Sequence, residues 1–230
     1  MSPLLSAVLP VAERHGLVLA GGHALAAHGL TERPGEGIDF VTDTPRAPVV
    51  PADVAEAAAG VVRDLREEGL EASVAEVTPR VARLAVTEPV TGECREVALH
   101  REALQRPPIT RDGRRLLDLD DALGMAMRAL HDRGLAGDLA AVAAAAGLRS
   151  FRDLESLARP YTDDFSMAEL AMRLEFAELM PDEAFERCGL EPGRAGGVRA
   201  FARAWAEDIK QRRAEDGDAD YDDPDLPAVD

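Results

Sequence analysis

The stretch LVLAGGHALAAHG (residues 17–29) is followed, after a short polar loop, by GIDFVTD (residues 37–43). Its first four residues are apolar and run into Gly21 and Gly22, which predicts a short buried strand ending in a glycine turn. The residues ALAAHG that follow suit a short helix closed by a glycine. GIDFVTD predicts a second strand. The segment therefore has the order strand, glycine turn, helix, strand.

The flanking residues predict further elements of both kinds. Apolar side chains recur at helical spacing in residues 4–15 and 52–69. Three segments with β-branched or alternating apolar content predict strands, namely EASVAEV, ARLAVTE and REVALH. The last two are separated by six residues and fit a hairpin, whereas RPPITRDGRR (residues 106–115) is interpreted as a loop.

From residue 117 onward the patterns are helical. The fold class predicted is α/β (α+β), with a mixed sheet flanked by helices and a C-terminal helical annex. We expect an α/β core over residues 1–116, a helical part over 117–213 and a disordered acidic tail over 214–230. Three aromatic side chains are expected to fill the core of the annex, namely Phe185, Phe201 and Trp205.

Composition limits the function classes. The chain has 230 residues, 46% of them hydrophobic, which is enough to bury a sizeable core. Of the net charge of −17, eight negative charges lie in residues 215–230, where there is no basic residue. Such a balance argues against charge-driven binding to nucleic acid. The two cysteines are far apart, resemble no zinc site and favour small apolar residues over a disulfide, and the first residues do not resemble a secretion signal, so we expect a cytoplasmic protein. No apolar run reaches the roughly 20 residues of a membrane span, so we expect no membrane partner.

The glycine turn has two interpretations. A glycine pair between a strand and a helix leaves backbone N–H groups free to hold an anion, and Gly21 and Gly22 are then a phosphate cradle. The other interpretation needs no ligand, because glycine also tolerates the positive φ of a tight turn.

Together with the strand GIDFV, the turn resembles nucleotidyltransferases of the DNA-polymerase-β-like fold, in particular the AbiEii/AbiGii toxin-like family. The family pattern has two glycines, a short helix, an arginine in the loop and Asp-hydrophobic-Asp on a strand. Gly21, Gly22, Arg33 and Asp39 stand in those places. The resemblance implies a nucleotidyltransferase-like mixed sheet, with an NTP bound by Gly21, Gly22 and Arg33 and Mg²⁺ bound by Asp39.

The family's polar site is incomplete in this chain. Two carboxylates on alternate residues of a strand share one face and can bind the same metal ions, but here the first place is Gly37. The family's third carboxylate matches Glu96, which is then a second candidate catalytic residue in addition to Asp39. Ala98 matches the same place equally well, and in that alignment the third carboxylate is absent. The place of the family's lysine holds Met125 or Ala126. An Asp-x-x-Asp on the next helix is reduced to Asp138, with Ala141 in the second place.

Three further side chains have open interpretations. His23, directly after the glycines, is a candidate phosphate contact or a histidine with no ligand. Arg33 either holds a phosphate or forms a loop ion pair with a neighbouring glutamate. His100 follows the strand that holds Glu96, and we expect it to face the same cleft.

Two functions follow from the resemblance. The first is Mg²⁺-dependent transfer of a nucleoside monophosphate from an NTP to an RNA end or a protein hydroxyl. The alternative is a pseudoenzyme, a catalytically inactive binding or regulatory module of the same fold that acts through a protein partner. Toxin–antitoxin pairing is implied as well, so an antitoxin is a candidate partner. A third hypothesis is an unrelated helical binding protein, in which residues 17–41 would not form neighbouring strands.

Overall fold

A computed structural model describes residues 2–31, 34–35, 37–43 and 54–215. Within them a seven-stranded mixed sheet has the order β3-β4-β5-β2-β1-β7-β6. The strands are β1 (Leu17–Leu19), β2 (Ile38–Asp43), β3 (Glu71–Val77), β4 (Val81–Glu88), β5 (Glu93–Glu102), β6 (Ile109–Arg111) and β7 (Arg114–Leu116). The helices are α1 (Pro3–Arg14), α2 (Gly21–Ala27), α3 (Val54–Glu67), α4 (Leu119–Arg133), α5 (Ala136–Ala143), α6 (Phe151–Ala158), α7 (Met167–Phe176), α8 (Asp182–Arg187) and α9 (Ala195–Glu215). This architecture confirms the predicted fold class.

The opening segment forms as predicted. All three residues of β1 are buried, and β1 pairs antiparallel with β2, with Leu19 opposite Phe40. Strand β2 pairs on its other side with β5, in parallel, with Phe40 opposite Leu99. Both of these side chains are almost fully buried. The neighbouring strands at residues 17–19 and 38–43 exclude the unrelated helical protein considered above.

Helices α1 and α3 pack on the sheet and on each other. Each presents an apolar stripe at helical spacing, which is why the stripe is buried while the opposite side carries charge. The stripe of α3 comprises Val54, Ala58, Val61, Val62 and Leu65. The predicted hairpin of β4 and β5 is present, with Glu88 opposite Glu93.

The prediction of a loop over residues 106–115 was wrong. Strands β6 and β7 form a short hairpin there, with Arg111 opposite Arg114. The turn residues Asp112 and Gly113 have φ values of 51° and 73°. Two successive positive φ values are typical of the tight turns that join hairpin strands, and an Asp-Gly pair favours them. Strand β7 also pairs in parallel with β1, so the hairpin adds two strands to the edge of the sheet next to β1.

The chain divides after Ala122, within α4, into two compact units, residues 1–122 and 123–230. The sheet lies in the first unit. In the second unit, Trp205 is fully buried and stacks on Phe151, with ring centroids 5.1 Å apart, and Phe201 packs edge-on against it. The sequence-based boundaries at 116/117 and 213/214 remain predictions.

A buried ion pair stabilises the second unit. The carboxylate of Glu155 accepts a hydrogen bond of 2.9 Å from the indole N–H of Trp205 and bonds of 2.6 and 3.1 Å from the guanidinium of Arg212. Glu155 is 5% exposed. Because buried charges are tolerated only when they are paired and hydrogen-bonded, this cluster explains how a glutamate fits on the inner side of α6.

Candidate functional site

The glycine turn lies against the Asp39 side chain. Beyond β1, the backbone N–H of Ala20 donates to the Asp39 carbonyl at 2.8 Å. Gly21 then has φ of +56°, and a Cβ built on it would lie 2.2 Å from Asp39 Oδ2. Only glycine fits such a position, because a side chain would be strained by the backbone angle and would collide with the carboxylate. The turn therefore brings bare backbone into contact with Asp39.

Gly22 is needed for a different contact. A Cβ on it would lie 3.2 Å from the backbone nitrogen of Gly35, so the loop before β2 passes close to the start of α2. The predicted role of Gly21 and Gly22 in binding a nucleotide remains a prediction, because their conformations are also explained by these two contacts.

The carboxylate of Asp39 pairs with a histidine. His100 Nε2 lies 3.1 Å from Asp39 Oδ1, and the two side chains are 15% and 34% exposed respectively. His100 lies within β5, two residues after Ala98, which is the register partner of Asp39. Residues two apart on a strand share a face, so His100 reaches diagonally toward the carboxylate.

His23 lies in the same region of the first unit. Burial lowers the pKa of His23, and the guanidinium groups of Arg95 and Arg114 lower it further, while the Asp39 carboxylate and a hydrogen bond to the Gly37 backbone act in the opposite direction. Its Nδ1 atom is buried and has no hydrogen-bond partner. The neutral form of the ring is therefore favoured, because burial and the two arginines lower the pKa by more than the Asp39 carboxylate and the Gly37 backbone raise it.

Among the residues that the structure describes, no second carboxylate stands beside Asp39 in the paired strands. Gly37, two residues earlier and just before β2, has no side chain, and Ala98 stands opposite Asp39 in β5. Glu96 lies on the same face, but it is 53% exposed and its carboxylate is 2.6 Å from the guanidinium of Arg83. A catalytic role for Glu96 stays a prediction.

These donors do not fit a pair of magnesium ions. Magnesium takes oxygen ligands in a near-octahedral arrangement, and a two-metal centre needs several carboxylate oxygens to neutralise it. Among the described residues, Asp39 provides a single carboxylate here. One of its oxygens is already hydrogen-bonded to the imidazole of His100. Across the described ranges, no group of three or more His, Cys, Asp or Glu side chains is arranged to hold a metal.

Three further polar residues, Arg33, Asp138 and His28, are not among these contacts. Arg33 lies outside the described residues. Asp138 is in the second unit, where it accepts a hydrogen bond from the Leu135 N–H at the start of α5 and pairs with Arg133. His28 Nε2 lies 2.9 Å from the carbonyl oxygen of Leu117. These contacts give Asp138 and His28 structural roles.

Arg114, on β7, acts on the surroundings of Asp39 although the sequence did not single it out. The β6–β7 hairpin brings Arg114 close enough to His23 to lower its pKa. The same hairpin places Arg111 against α2, where its guanidinium donates to the Ala27 carbonyl at 2.7 Å. The Asp-Gly turn was the signal that could have revealed the hairpin, since it folds the chain back so that Arg114 lies near His23 and Arg111 contacts the end of α2.

Comparison with known proteins shows the fold. No family model matches the chain, and no curated protein matches it in sequence. The chain is similar to MenT4, a nucleotidyltransferase toxin from Mycobacterium tuberculosis H37Rv, with a TM-score of 0.50 and 17% identity over 95% of this chain and 83% of that one. JHP933 from Helicobacter pylori gives a TM-score of 0.49 and 16% identity over 93% of this chain and 94% of that one. The likeness to MenT4 shows that this chain has the nucleotidyltransferase fold. In the part of the chain that the structure describes, every helix is too short or too polar to cross a membrane.

Proposed function

We propose that the chain is a nucleotidyltransferase, which binds an NTP beside Asp39 and transfers its nucleoside monophosphate to an RNA end or a protein hydroxyl. The observation that carries the proposal is the contact between the Asp39 carboxylate and the bare backbone of the Gly21 turn. A phosphate on that backbone would lie next to the carboxylate that binds its cation, which is the arrangement nucleotidyl transfer requires.

Several groups support binding of the triphosphate. Gly21 and Gly22 would offer backbone N–H groups, and His23 an imidazole, to the phosphate oxygens. Arg114 supplies positive charge near His23. Arg33, six residues before Asp39 in the sequence, is proposed as a further phosphate contact on the basis of the sequence resemblance alone.

The acceptor and partner also belong to the proposal. An RNA acceptor needs a basic strip, and the arginines of residues 101–115 are the clustered candidates. Three of them already have partners, since Arg106 pairs with Asp120 at 2.6 Å, and Arg111 and Arg115 each donate to a backbone carbonyl. Because neutralised charge attracts RNA less, a protein hydroxyl remains an equal alternative. By analogy with the toxin MenT4, an antitoxin is the proposed protein partner.

A second function is favoured by one observation. Neither Gly37, two residues before Asp39, nor Ala98, opposite Asp39 in β5, has a carboxylate. The chain is therefore alternatively an inactive module that holds a nucleotide and acts through a protein partner. Among the described residues, a Cβ at Gly37 would meet nothing nearer than the Glu96 carbonyl oxygen at 4.0 Å, and the position has no positive φ. Gly37→Asp therefore fits the described backbone and adds a second carboxylate two residues before Asp39.

The two functions are separated by transfer assays. Purified protein is incubated with each α-³²P-labelled NTP, a divalent cation, and either total RNA or cell extract, and label on macromolecules is measured. The enzyme proposal expects transfer by the wild type and its loss in Asp39→Asn, with Asp132→Asn in the second unit as a matched control. Absence of transfer by the wild type, with transfer gained by Gly37→Asp, supports the inactive module. Transfer that is unchanged in Asp39→Asn would overturn the assignment of the site.

Arg114 provides a separate test of phosphate binding. Arg114→Gln should weaken NTP binding at least about fivefold, because losing one charge-assisted contact costs on the order of 1 kcal/mol. Arg194→Gln is a suitable control, since Arg194 is an exposed arginine of the second unit. Equal NTP affinity of the Arg114 variant and the control would remove Arg114 from the site.

A further inference from the structure

Asp39 is one member of a row of side chains that crosses four strands. Asp39 in β2 stands opposite Ala98 in β5, Ala98 stands opposite Arg83 in β4, and Arg83 stands opposite Glu76 in β3. Residues opposite each other on neighbouring strands share a face of the sheet, and the strands are about 4.8 Å apart. Arg83 is therefore about 10 Å from Asp39 and Glu76 about 14 Å from it, on the side of β2 away from β1 and the Gly21 turn.

The row lies on the face of the sheet opposite α3. Leu84 and Val97, which alternate with the residues of the row along β4 and β5, are fully buried, and α3 packs on β3, β4 and β5. On the face of the row, the side chains of Arg83, Glu96 and Glu76 are 38%, 53% and 59% exposed. A second substrate can therefore reach these charged groups.

The side from which the acceptor arrives follows from the proposed function. The acceptor oxygen forms a bond to the α-phosphorus, its proton passes to solvent, and the bond to the pyrophosphate breaks with its electron pair leaving on pyrophosphate. The attacking and leaving oxygens lie roughly in line, on opposite sides of that phosphorus. The proposed phosphate contacts Gly21, Gly22 and Arg114 follow β1 or lie on β7, on one side of Asp39 in the order of strands. The acceptor hydroxyl therefore enters from the other side, over β5 and β4.

This approach side carries more negative than positive charge. Among the described residues of β3, β4 and β5, the carboxylate and guanidinium groups that reach solvent on this face are those of Glu71, Glu76, Glu96 and Arg83. The guanidinium of Arg83 is shared between two carboxylates, at 3.3 Å from Glu76 and 2.6 Å from Glu96. Its charge is therefore already balanced, and the surface presents a net negative charge to an arriving chain.

We infer that the acceptor is a protein hydroxyl with lysine or arginine residues near it, and not an RNA end. The inference rests on the proposed function. In an extended protein segment, residues two or three positions from the hydroxyl lie about 7–10 Å away, which places them over Arg83 and its two glutamates. An RNA end would place its last phosphodiesters in the same region, where the negative charge repels them. The arginines of β6 and β7, namely Arg111, Arg114 and Arg115, lie on the side of the leaving pyrophosphate.

Sensitivity to nuclease and protease tests the class of acceptor. The full chain is incubated with each α-³²P-labelled NTP and a divalent cation, together with RNA-free cell protein or with protein-free total RNA. We expect label that survives ribonuclease and is removed by protease, and roughly tenfold less label on RNA. Equal or greater label on RNA would overturn the inference and leave the proposed function standing. No label on either class of macromolecule would overturn both.

A charge-reversal variant tests the surface itself. At about 10 Å in water, one pair of unit charges changes a binding constant roughly twofold, so Glu76→Lys should slow protein labelling at limiting acceptor by about fourfold. Its NTP affinity, measured by calorimetry, should equal that of the wild type, because Glu76 is three strands from Asp39. Unchanged NTP affinity also shows that the variant folds.

Glu67→Lys is the matched control for this variant. Glu67 is exposed and lies on α3, so the same change of charge is made on the opposite face of the sheet. We expect its labelling rate to equal that of the wild type. If Glu76→Lys and Glu67→Lys label protein at the same rate, the face that carries Arg83 does not bind the acceptor and the inference is wrong.

Discussion

Replacing Gly21 by alanine tests the contact on which the site depends. Gly21 has φ of +56°, and the new Cβ would lie 2.2 Å from Asp39 Oδ2. Two costs therefore add: strain of the backbone and displacement of the carboxylate from His100. Gly16 provides a matched control, because it has φ of +67° but nothing within 4 Å of a Cβ.

The size of the effect follows from the two costs. Alanine at a left-handed position costs about 1.5 kcal/mol, which is all that Gly16→Ala should lose. Gly21→Ala should lose about 1.5 kcal/mol more, since moving Asp39 breaks a hydrogen bond to a charged group that is partly exposed. We therefore expect the free energy of unfolding to fall by about 3 kcal/mol in Gly21→Ala, roughly twice the loss in Gly16→Ala.

Urea unfolding followed by far-ultraviolet circular dichroism measures both variants. A double-mutant cycle then isolates the carboxylate's part of the collision. In an Asp39→Ala background the carboxylate is gone, but the Cβ of residue 39 still lies 2.9 Å from the new Cβ. Gly21→Ala should therefore cost about 1 kcal/mol less than in the wild type, rather than the full amount of about 1.5 kcal/mol. The reasoning would be refuted if the two glycine variants lost equal stability and the cost at Gly21 were unchanged in that background.

Three further predictions concern single side chains. Glu96→Gln removes an exposed ion pair, so we expect less than about 1 kcal/mol of lost stability and an unchanged ATP affinity by calorimetry; a tenfold loss of affinity would contradict this. Burial lowers the pKa of His23 from its ordinary value of 6.5, so the unfolded chain takes up this proton more readily and stability is lost as pH falls below 6.5. Wild type should therefore lose more stability than His23→Gln between pH 7.5 and 5.5, by at most about 1.4 kcal/mol per pH unit below 6.5, and equal losses would argue against it. Glu155→Ala should lower the free energy of unfolding by about 3 kcal/mol, measured by Trp205 fluorescence, whereas Glu207→Ala, at an exposed position, should change this free energy by less than about 0.5 kcal/mol. Similar values for the two variants would exclude a stabilising ion pair.

The local structure of the site could be predicted from the sequence. The buried run of residues 17–20, the two glycines and the following short helix each have a signal within a few residues. Gly21 shows the limit of such signals, because the sequence left open whether it serves a ligand or the backbone. The structure adds a third requirement, the close approach of Asp39, which comes from a different strand.

The register between β2 and β5 could not be predicted. Glu96, Ala98 and His100 all lie on one face of β5, so shifting the pairing by two residues leaves every apolar side chain on its own face. The packing of Phe40 opposite Leu99, residues far apart in sequence, selects the register that places Ala98 opposite Asp39. Identifying His100 as the partner of Asp39 therefore required the structure.

The most direct test of the central claim, that Asp39 and the Gly21 turn form a nucleotide site, is isothermal titration of the purified protein with each NTP. Titrations are run with Mn²⁺, with Mg²⁺ and without a divalent cation, on wild type and Asp39→Asn. We expect the wild type to bind an NTP only when a divalent cation is present, and we expect Asp39→Asn to lose this binding. No heat with any NTP under any condition, or binding that is equal in Asp39→Asn, would contradict it.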